Sequence, residues 1–459
     1  MADILLIAVN ARYSHCAFAA RSLLANLGPL RPRAAMLETD TDTLPFQLAA
    51  DVAARQPRVA GFSVYLWNTT LVREALAILR RAAPGLHVVL GGPEITTAAA
   101  PAWEGLADIL VVGEGETAFR NACAGILDGA APPSAGLPAV HVARPEHPTA
   151  LELPYDLYDG ADLRHRSLYA ESTRGCPCGC LYCTSAGTGL RCLPLDRLLP
   201  ALERLLARGG RSLRFLDRSF NAGEEHACAV LDFFLARRPE QMRLHFELLP
   251  RLPGPALRAR LAAFPAGSLH LEVGVQTLND AVAARAGRGG SAAAAMETLA
   301  FLTRSTGAAV HADLIFGLPG EGPASFAAGF DRIVREAAPA ELQVNLLKGL
   351  PGTPIADPAS FPQLVFSPHP PYELLQSDTL DFAAIAALQR FARCWDLIHN
   401  RGRLRQTAAR LWRDGASPFA RVCALAERIQ DAEGRLHALG ADCVAAHLER
   451  ALADTCHSV

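Results

Sequence analysis

Ser167-Leu168-Tyr169-Ala170-Glu171-Ser172-Thr173-Arg174-Gly175-Cys176-Pro177-Cys178-Gly179-Cys180-Leu181-Tyr182-Cys183 runs from a strand-like segment straight into four cysteines within eight residues. Cys176, Cys180 and Cys183 stand in a C-x3-C-x2-C spacing, which lets three thiolates of one loop converge on one centre. Three ligands on a four-iron, four-sulfur cluster leave one iron open to chelate a small molecule, as catalytic metal sites keep an open position and structural ones do not. The competing reading is a structural zinc knuckle that uses all four cysteines, or Cys178 as a ligand. C-x-C-x-C-x2-C is a poor match to the paired C-x2-C spacings of zinc sites.

Outward from this loop a strand–helix unit repeats about six times. Strands are expected near Ser167–Glu171, Ser212–Leu216, Arg243–Glu247, Ser268–Val273, Ala309–Ile315 and Glu341–Leu346. Helical segments such as Leu195–Leu206, Glu224–Leu235, Gly254–Ala263 and Ser325–Ala337 lie between them. Right-handed crossovers of this length curl into a barrel or partial barrel, whose chemistry collects where the strands end.

Upstream, Ile4–Val9, Ala34–Leu37, Val59–Val64, His87–Leu90 and Ile109–Val112 are continuous apolar runs. They alternate with the helix-like segments Ala17–Leu27, Leu48–Arg55, Leu71–Ala82, Thr97–Gly105 and Thr117–Leu127. Continuous apolar strands imply a parallel sheet covered on both faces, hence a doubly wound domain. Its ligands are expected at the carboxyl ends of the strands, in the loops beginning Asn10, Ser63, Gly91 and Gly113. Gly129 to Pro154 is proline-rich without helical period and is expected to be a linker. Pro351 to Pro371 closes the barrel segment. Beyond it, Phe382, Ile385, Leu388, Ala392, Trp395 and Ile398 form one helical stripe, and Phe419, Val422, Leu425 and Ile429 another, expected to build a small helical domain or lid. The expected divisions are 1–130, a linker at 131–155, the barrel at 156–355 and helices at 372–459.

The whole is 459 residues long, enough for two to four domains. It is 50% hydrophobic and 20% charged, which excludes a disordered or coiled-coil protein. The net charge of −2 offers no global basic field for a nucleic acid backbone or an anionic membrane. No run approaches about 18 uninterrupted apolar residues, and Met1-Ala2-Asp3 lacks a basic leader region, so a soluble, cytoplasmic protein is expected. In that reducing compartment twelve cysteines read as ligands, catalytic groups or buried small hydrophobes rather than disulfides. Cys16, Cys123, Cys192, Cys228, Cys394, Cys423, Cys443 and Cys456 show no second cluster spacing. Lys348 is the only lysine among 44 basic residues.

The cysteine loop in its barrel setting resembles the radical S-adenosylmethionine (SAM) superfamily, over roughly Leu151 to Gly352. Leu271-Glu272-Val273-Gly274-Val275-Gln276-Thr277 is similar to that family's fourth-strand E-x-G-x-Q-[ST] pattern, and Asp313-Leu314-Ile315-Phe316-Gly317-Leu318-Pro319-Gly320-Glu321 to its fifth-strand glycine motif. The resemblance implies that Cys176, Cys180 and Cys183 hold a 4Fe–4S cluster that binds SAM and cleaves it to a 5′-deoxyadenosyl radical. It places Glu272 and Gln276 at the ribose or methionyl part, with Gly317 and Gly320 giving close backbone approach to the nucleoside. Asp217, in Asp217-Arg218-Ser219-Phe220-Asn221, stands where the family has a Gly-Gly-Glu-like segment for the SAM amine, a departure from its pattern.

The upstream domain resembles the cobalamin-binding domain that precedes the barrel in one radical SAM class. Gly91-Gly92-Pro93-Glu94 and Val112-Gly113-Glu114-Gly115-Glu116, with Ser63, carry the likeness. It implies that Asn10, Ser63, Gly91, Gly92, Gly113, Glu114 and Gly115 border the corrin's nucleotide tail. No D-x-H-x-x-G occurs, and His15 is expected to be a hydrogen-bonding or surface residue rather than a cobalt ligand. Asn10-Ala11-Arg12-Tyr13-Ser14-His15, Gly61-Phe62-Ser63-Val64-Tyr65-Leu66-Trp67-Asn68, Pro371-Tyr372-Glu373-Leu374-Leu375 and Asn400-Arg401-Gly402 are similar to a bacterial subgroup whose C-terminal domain has no assigned function. The expected fold is thus α/β: a doubly wound, Rossmann-like cobalamin-binding domain, a partial (β/α)6 TIM-like radical SAM barrel and a C-terminal helical domain.

The activity implied is a cobalamin-dependent methyltransferase acting on an unactivated carbon or phosphorus centre of a small molecule. Its cofactors are a 4Fe–4S cluster, SAM and cobalamin, with a flavodoxin- or ferredoxin-type electron donor. The alternatives are a cobalamin-assisted cyclase or rearrangement enzyme, a tRNA- or protein-modifying radical enzyme, which the balanced charge disfavours, and a non-catalytic cobalamin or redox sensor. Lys348, after the last barrel strand, either contacts an anionic substrate or cofactor group at the barrel mouth or has survived by chance.

Overall fold

The computed structural model describes residues 2–129 and 137–456. Five strands lie where the apolar runs predict them: β1 (Ile4–Asn10), β2 (Ala34–Asp40), β3 (Val59–Ser63), β4 (His87–Gly91) and β5 (Ile109–Val112). They pair in parallel in the order β2-β1-β3-β4-β5. All seven residues of β1 and all five of β3 are buried, as a sheet covered on both faces requires. Helix Glu116–Leu127 packs so closely on β3 that a Cβ at Gly61 would sit 2.5 Å from the Phe119 ring.

Two expectations change here. Residues 130–136 of the expected linker lie outside the described residues, but β6 (Ala139–Val142) adds a sixth parallel strand beside β5. Val140, His141 and Val142 are all exposed, as an edge strand lacking cover on either face allows, and no buried run marks it in the sequence. The helix expected at Thr97–Gly105 is a tighter 3-10 turn, Thr97–Trp103, because Pro101 withdraws an amide from the α-helical ladder.

The second sheet begins with β7 (Leu168–Ala170). After it come a small antiparallel pair, β8 (Thr173–Arg174) and β9 (Arg191–Cys192), then β10 (Ser212–Phe215), β11 (Arg243–Leu248), β12 (Leu269–Gln276), β13 (Ala309–Phe316) and β14 (Glu341–Leu346). The parallel order β14-β13-β12-β11-β10-β7 is an open, six-stranded partial barrel. Along β12 burial alternates strictly. Leu269, Leu271, Val273 and Val275 face the helices, and His270, Glu272, Gly274 and Gln276 face the lumen.

The C-terminal helices do not form a core of their own. One apolar cluster runs from Phe246 in the barrel through Phe330 to Phe391, Trp395 and Val422. The Phe330 ring meets Phe391 at 4.9 Å and Trp395 at 4.8 Å, both edge-on. Trp395 Nε1 and Asn400 Nδ2 both donate to the Leu342 carbonyl, and Asn400 Oδ1 accepts from the Leu342 amide. These bonds cover the open edge at β14, where unpaired backbone groups invite another chain. Among the described residues no helix is long and apolar enough to cross a membrane.

Candidate active site

The cysteine loop is pinched at its base by β8 and β9, where Thr173 pairs with Cys192 and Arg174 with Arg191. Only glycine fits at position 175, with φ +83° and a built Cβ 1.8 Å from the Gly189 carbonyl oxygen. The loop is tied down at Cys176 N to Thr188 Oγ1 (3.1 Å) and at Leu181 N to the Ala286 carbonyl (2.9 Å). Cys176 and Cys180 are buried; Cys178 and Cys183 are half-buried.

Hydrogen-bond donors already address two of the sulfurs. Arg288 Nη1 reaches Cys180 Sγ at 3.4 Å and Tyr182 Oη at 3.3 Å, while Nη2 donates to the Gly274 carbonyl. Ser185 N donates to Cys183 Sγ at 3.4 Å. Burial, then the neighbouring Cys176 and Cys180, push the Cys178 thiol up to about 11, and burial raises the Cys183 thiol as well.

Hydrogen-bond donors such as Arg288 and the Ser185 amide suit the anionic sulfurs of an iron–sulfur cluster, so the donor set fits such a cluster.

A cavity of about 540 Å³ lies between the carboxyl ends of the first sheet and this loop. Ser63, Gly91, Gly92, Gly113, Glu114 and Gly115 line one wall, and Gly175, Thr184, Ser185 and Arg218 the other. Six of the seven residues expected to border the corrin tail therefore face it. Asn10 does not: its amide donates to the His15 carbonyl and to Glu38 Oε1, both at 2.8 Å. His15 also lies outside the lining, with Nδ1 2.5 Å from Tyr169 Oη.

Buried ion pairs hold the two walls together. Arg174 reaches Glu116 at 2.6 Å, Glu171 at 2.7 Å and Glu114 at 3.2 Å, and Arg191 pairs with Glu114. Burial alone would raise the Glu114 carboxyl, but Arg191, the Glu146 amide and Arg174 outweigh it and leave it below its ordinary value. A second network joins Arg21 to Glu38 at 2.8 Å and to Asp162 at 2.6 Å.

The SAM-side expectations divide. At Gln276 the backbone is left-handed, with φ 70°, and the register with β13 slips. A Cβ at Gly274 would meet Gln276 Nε2 at 2.8 Å, so that glycine makes room for the amide beside Arg288. Gln276 Oε1 is buried without a partner, a site that a ligand donor would satisfy. Glu272 accepts from Arg214 at 3.1 Å and lies 3.1 Å from His245 Nε2. Burial pushes its carboxyl up, but His245, His311 and Arg214 prevail and hold it down at about 2.

Asp217 does not reach the site. It is wholly buried, accepting from Ser172 N at 2.7 Å, from Thr173 N at 3.1 Å and from the Ser172 hydroxyl. A carboxylate two residues past β10 fastens the chain just beyond β7 instead, and burial pushes its pKa up to about 6. Built Cβ atoms at Gly317 and Gly320 would lie 2.4 Å from Leu374 Cδ2 and 2.4 Å from Arg285 Nη2, so a side chain at either position would collide with a neighbour. Lys348 lies outside the cavity lining, and its backbone bridges to Glu373.

Arg174, Arg218 and Arg288 are functional candidates that sequence reading misses. With arginine supplying nearly all the positive charge, no single arginine stands out. Three lumen histidines left a readable trace, since His245, His270 and His311 each follow an apolar residue near the start of consecutive barrel strands.

Comparison with known proteins matches this architecture. The B12-binding domain family matches residues 4–122 and the radical SAM superfamily matches residues 170–333. The chain thus carries a segment similar to B12-binding domains followed by one similar to the radical SAM superfamily. It is 29% identical over 232 residues to the cobalamin-dependent radical SAM methyltransferase TokK of Streptomyces tokunonensis, a match covering 44% of this chain and 34% of that one. Its fold is similar to that of TsrM, a radical SAM methyltransferase of Kitasatospora setae solved with cobalamin and a 4Fe–4S cluster bound (TM-score 0.60, 20% identity, 81% of this chain and 78% of that one). It is also similar to OxsB, a cobalamin-dependent S-adenosylmethionine radical enzyme solved with aqua-cobalamin and SAM (TM-score 0.67, 12% identity, 99% and 80%). At these identities the solved structures share the fold alone. The chain aligns with about a third of the length of the curated relatives it matches.

Proposed function

We propose that the protein is a cobalamin-dependent radical SAM methyltransferase acting on an unactivated carbon or phosphorus centre of a small molecule. One observation carries the reading: a single cavity is walled on one side by the Gly91-Gly92 and Gly113-Glu114-Gly115 loops and on the other by the cysteine loop. In this reading Cys176, Cys180 and Cys183 hold a 4Fe–4S cluster, with Glu272 and Gln276 on SAM and Ser63, Gly91, Gly92, Gly113, Glu114 and Gly115 along the corrin tail. When bound, the cluster supplies an electron that cleaves SAM and the cobalamin supplies the transferable methyl group.

The chain's own residues position and insulate these groups. Arg288 and the Ser185 amide stabilise sulfur charge at Cys180 and Cys183, a lever on the reduction potential of the centre. Arg174 and Arg191 fix the width of the cavity through Glu114 and Glu116. Arg218 brings a guanidinium to the wall beside Cys183. The electron donor is proposed to be of flavodoxin or ferredoxin type.

The test is anaerobic. Protein reconstituted with iron, sulfide and hydroxocobalamin receives dithionite and SAM, and 5′-deoxyadenosine and S-adenosylhomocysteine are quantified, with Cys176→Ala/Cys180→Ala/Cys183→Ala as control. Both products, lost in the control, are expected. Deoxyadenosine without S-adenosylhomocysteine would replace methyl transfer by cyclisation or rearrangement.

A further inference from the structure

We infer that the barrel lumen holds a divalent d-block cation on His270, His311 and Glu341, a site separate from the cysteine loop. These residues stand on three adjacent strands, β12, β13 and β14, and the register places His311 opposite both Glu272 and Glu341. One ligand atom from each falls within 4.8 Å of the other two. Tetrahedral coordination at about 2.1 Å needs donors about 3.4 Å apart, a closure that small side-chain rotations provide.

His311 carries the strongest sign. Its Nδ1 lies 3.9 Å from Glu341 Oε2, and its Nε2 lies 3.3 Å from Asp313 Oδ1. A metal-bound histidine is arranged in this way, one nitrogen turned to the ion and the other steadied by a carboxylate. His270 Nε2 is buried without a hydrogen-bond partner. His311 is itself only 7% exposed. His245 stacks on His270 at 4.6 Å and an angle of 17°, which steadies the ring.

Charge points to a cation rather than an anion. Glu272, Asp313 and Glu341 surround the histidines, and Arg214, the nearby guanidinium, is paired to Glu272. Two imidazoles and one carboxylate suit zinc-class ions, and three protein ligands leave a position toward the lumen for water or a substrate donor. This site does not depend on the proposed reaction.

The test uses the protein loaded with cluster and cobalamin, so that the cysteine loop is occupied. It is equilibrated with zinc sulfate, passed through a desalting column, and its zinc measured by plasma mass spectrometry beside the zinc K-edge absorption spectrum. The expected result is one zinc per chain in a shell of nitrogen and oxygen only. Binding should weaken at least ten-fold in His270→Gln and Glu341→Gln, and on the order of ten-fold in Asp313→Asn, which alters only the outer carboxylate. No retained zinc, unchanged binding in the variants, or sulfur in the wild-type shell would overturn the site. The last outcome would place zinc at a cysteine site such as Glu433, Cys443 and His447, and it needs no variant to fold.

Discussion

The barrel meets its two neighbours by different means. Toward the first domain the junction joins one apolar contact, Phe18 on Tyr155, to a set of ion pairs: Arg21 with Glu38 and Asp162, and Arg174 and Arg191 with Glu114 and Glu116. Toward the C-terminal helices it is aromatic, with Phe326, Phe330, Phe391, Phe419 and Trp395 in mutual contact. An apolar junction that shares the barrel's core makes the helices a permanent wall and not a lid. A polar junction suits a cavity between two walls, since directional bonds set a spacing that packing alone would let collapse.

The sharpest way to break the contrast is Trp395→Ala. It removes a wholly buried ring and its bond to the β14 edge, and should lower stability by about 3–5 kcal/mol in urea unfolding. Arg21→Ala leaves Arg166 as the remaining cation for the buried Glu38 and Asp162 and should cost less, about 1–3 kcal/mol. Limited proteolysis should then cut between the first domain and the barrel, whereas Trp395→Ala should free the C-terminal helices.

Acid should act on one junction and spare the other. Glu38 and Glu114 have folded-state pKa values below their ordinary ones, although burial opposes this, because Arg21 and Arg191 prevail. Their contribution is full above the ordinary glutamate value of about 4.3 and is lost as pH falls through the lower folded values. Glu171, raised chiefly by burial, has the opposite sign. Proteolytic release of the first domain should therefore rise below about pH 4.3 while the aromatic junction holds. Asn400→Ala, which strips the half-buried Leu342 cap, should cost about 1–2 kcal/mol. The smallest effect is expected at Lys348→Arg, which should leave turnover unchanged because the residue lies outside the cavity lining.

Both sheets and the cysteine loop were legible in the sequence because each rests on a local signal, apolar runs for strands and cysteine spacing for the loop. Glycine turns after β4 and β5 placed one cavity wall equally well. β6 was not legible, since an edge strand of Val-His-Val among prolines has neither a buried run nor a clear period. Asp217 misled because an acid after a strand serves a neighbouring backbone as readily as a ligand. The junction arginines depend on contacts between residues as far apart as Glu114 and Arg174, and no local pattern reports those.

In the proposed function one cavity brings both cofactors face to face. With cobalamin reduced to its paramagnetic cobalt(II) form and the cluster reduced by dithionite, the spin relaxation of cobalt can be measured by pulsed EPR. Faster relaxation is expected in the wild type than in Cys176→Ala/Cys180→Ala/Cys183→Ala carrying the same cobalamin. Equal relaxation, with cluster content verified in the wild type, would contradict it.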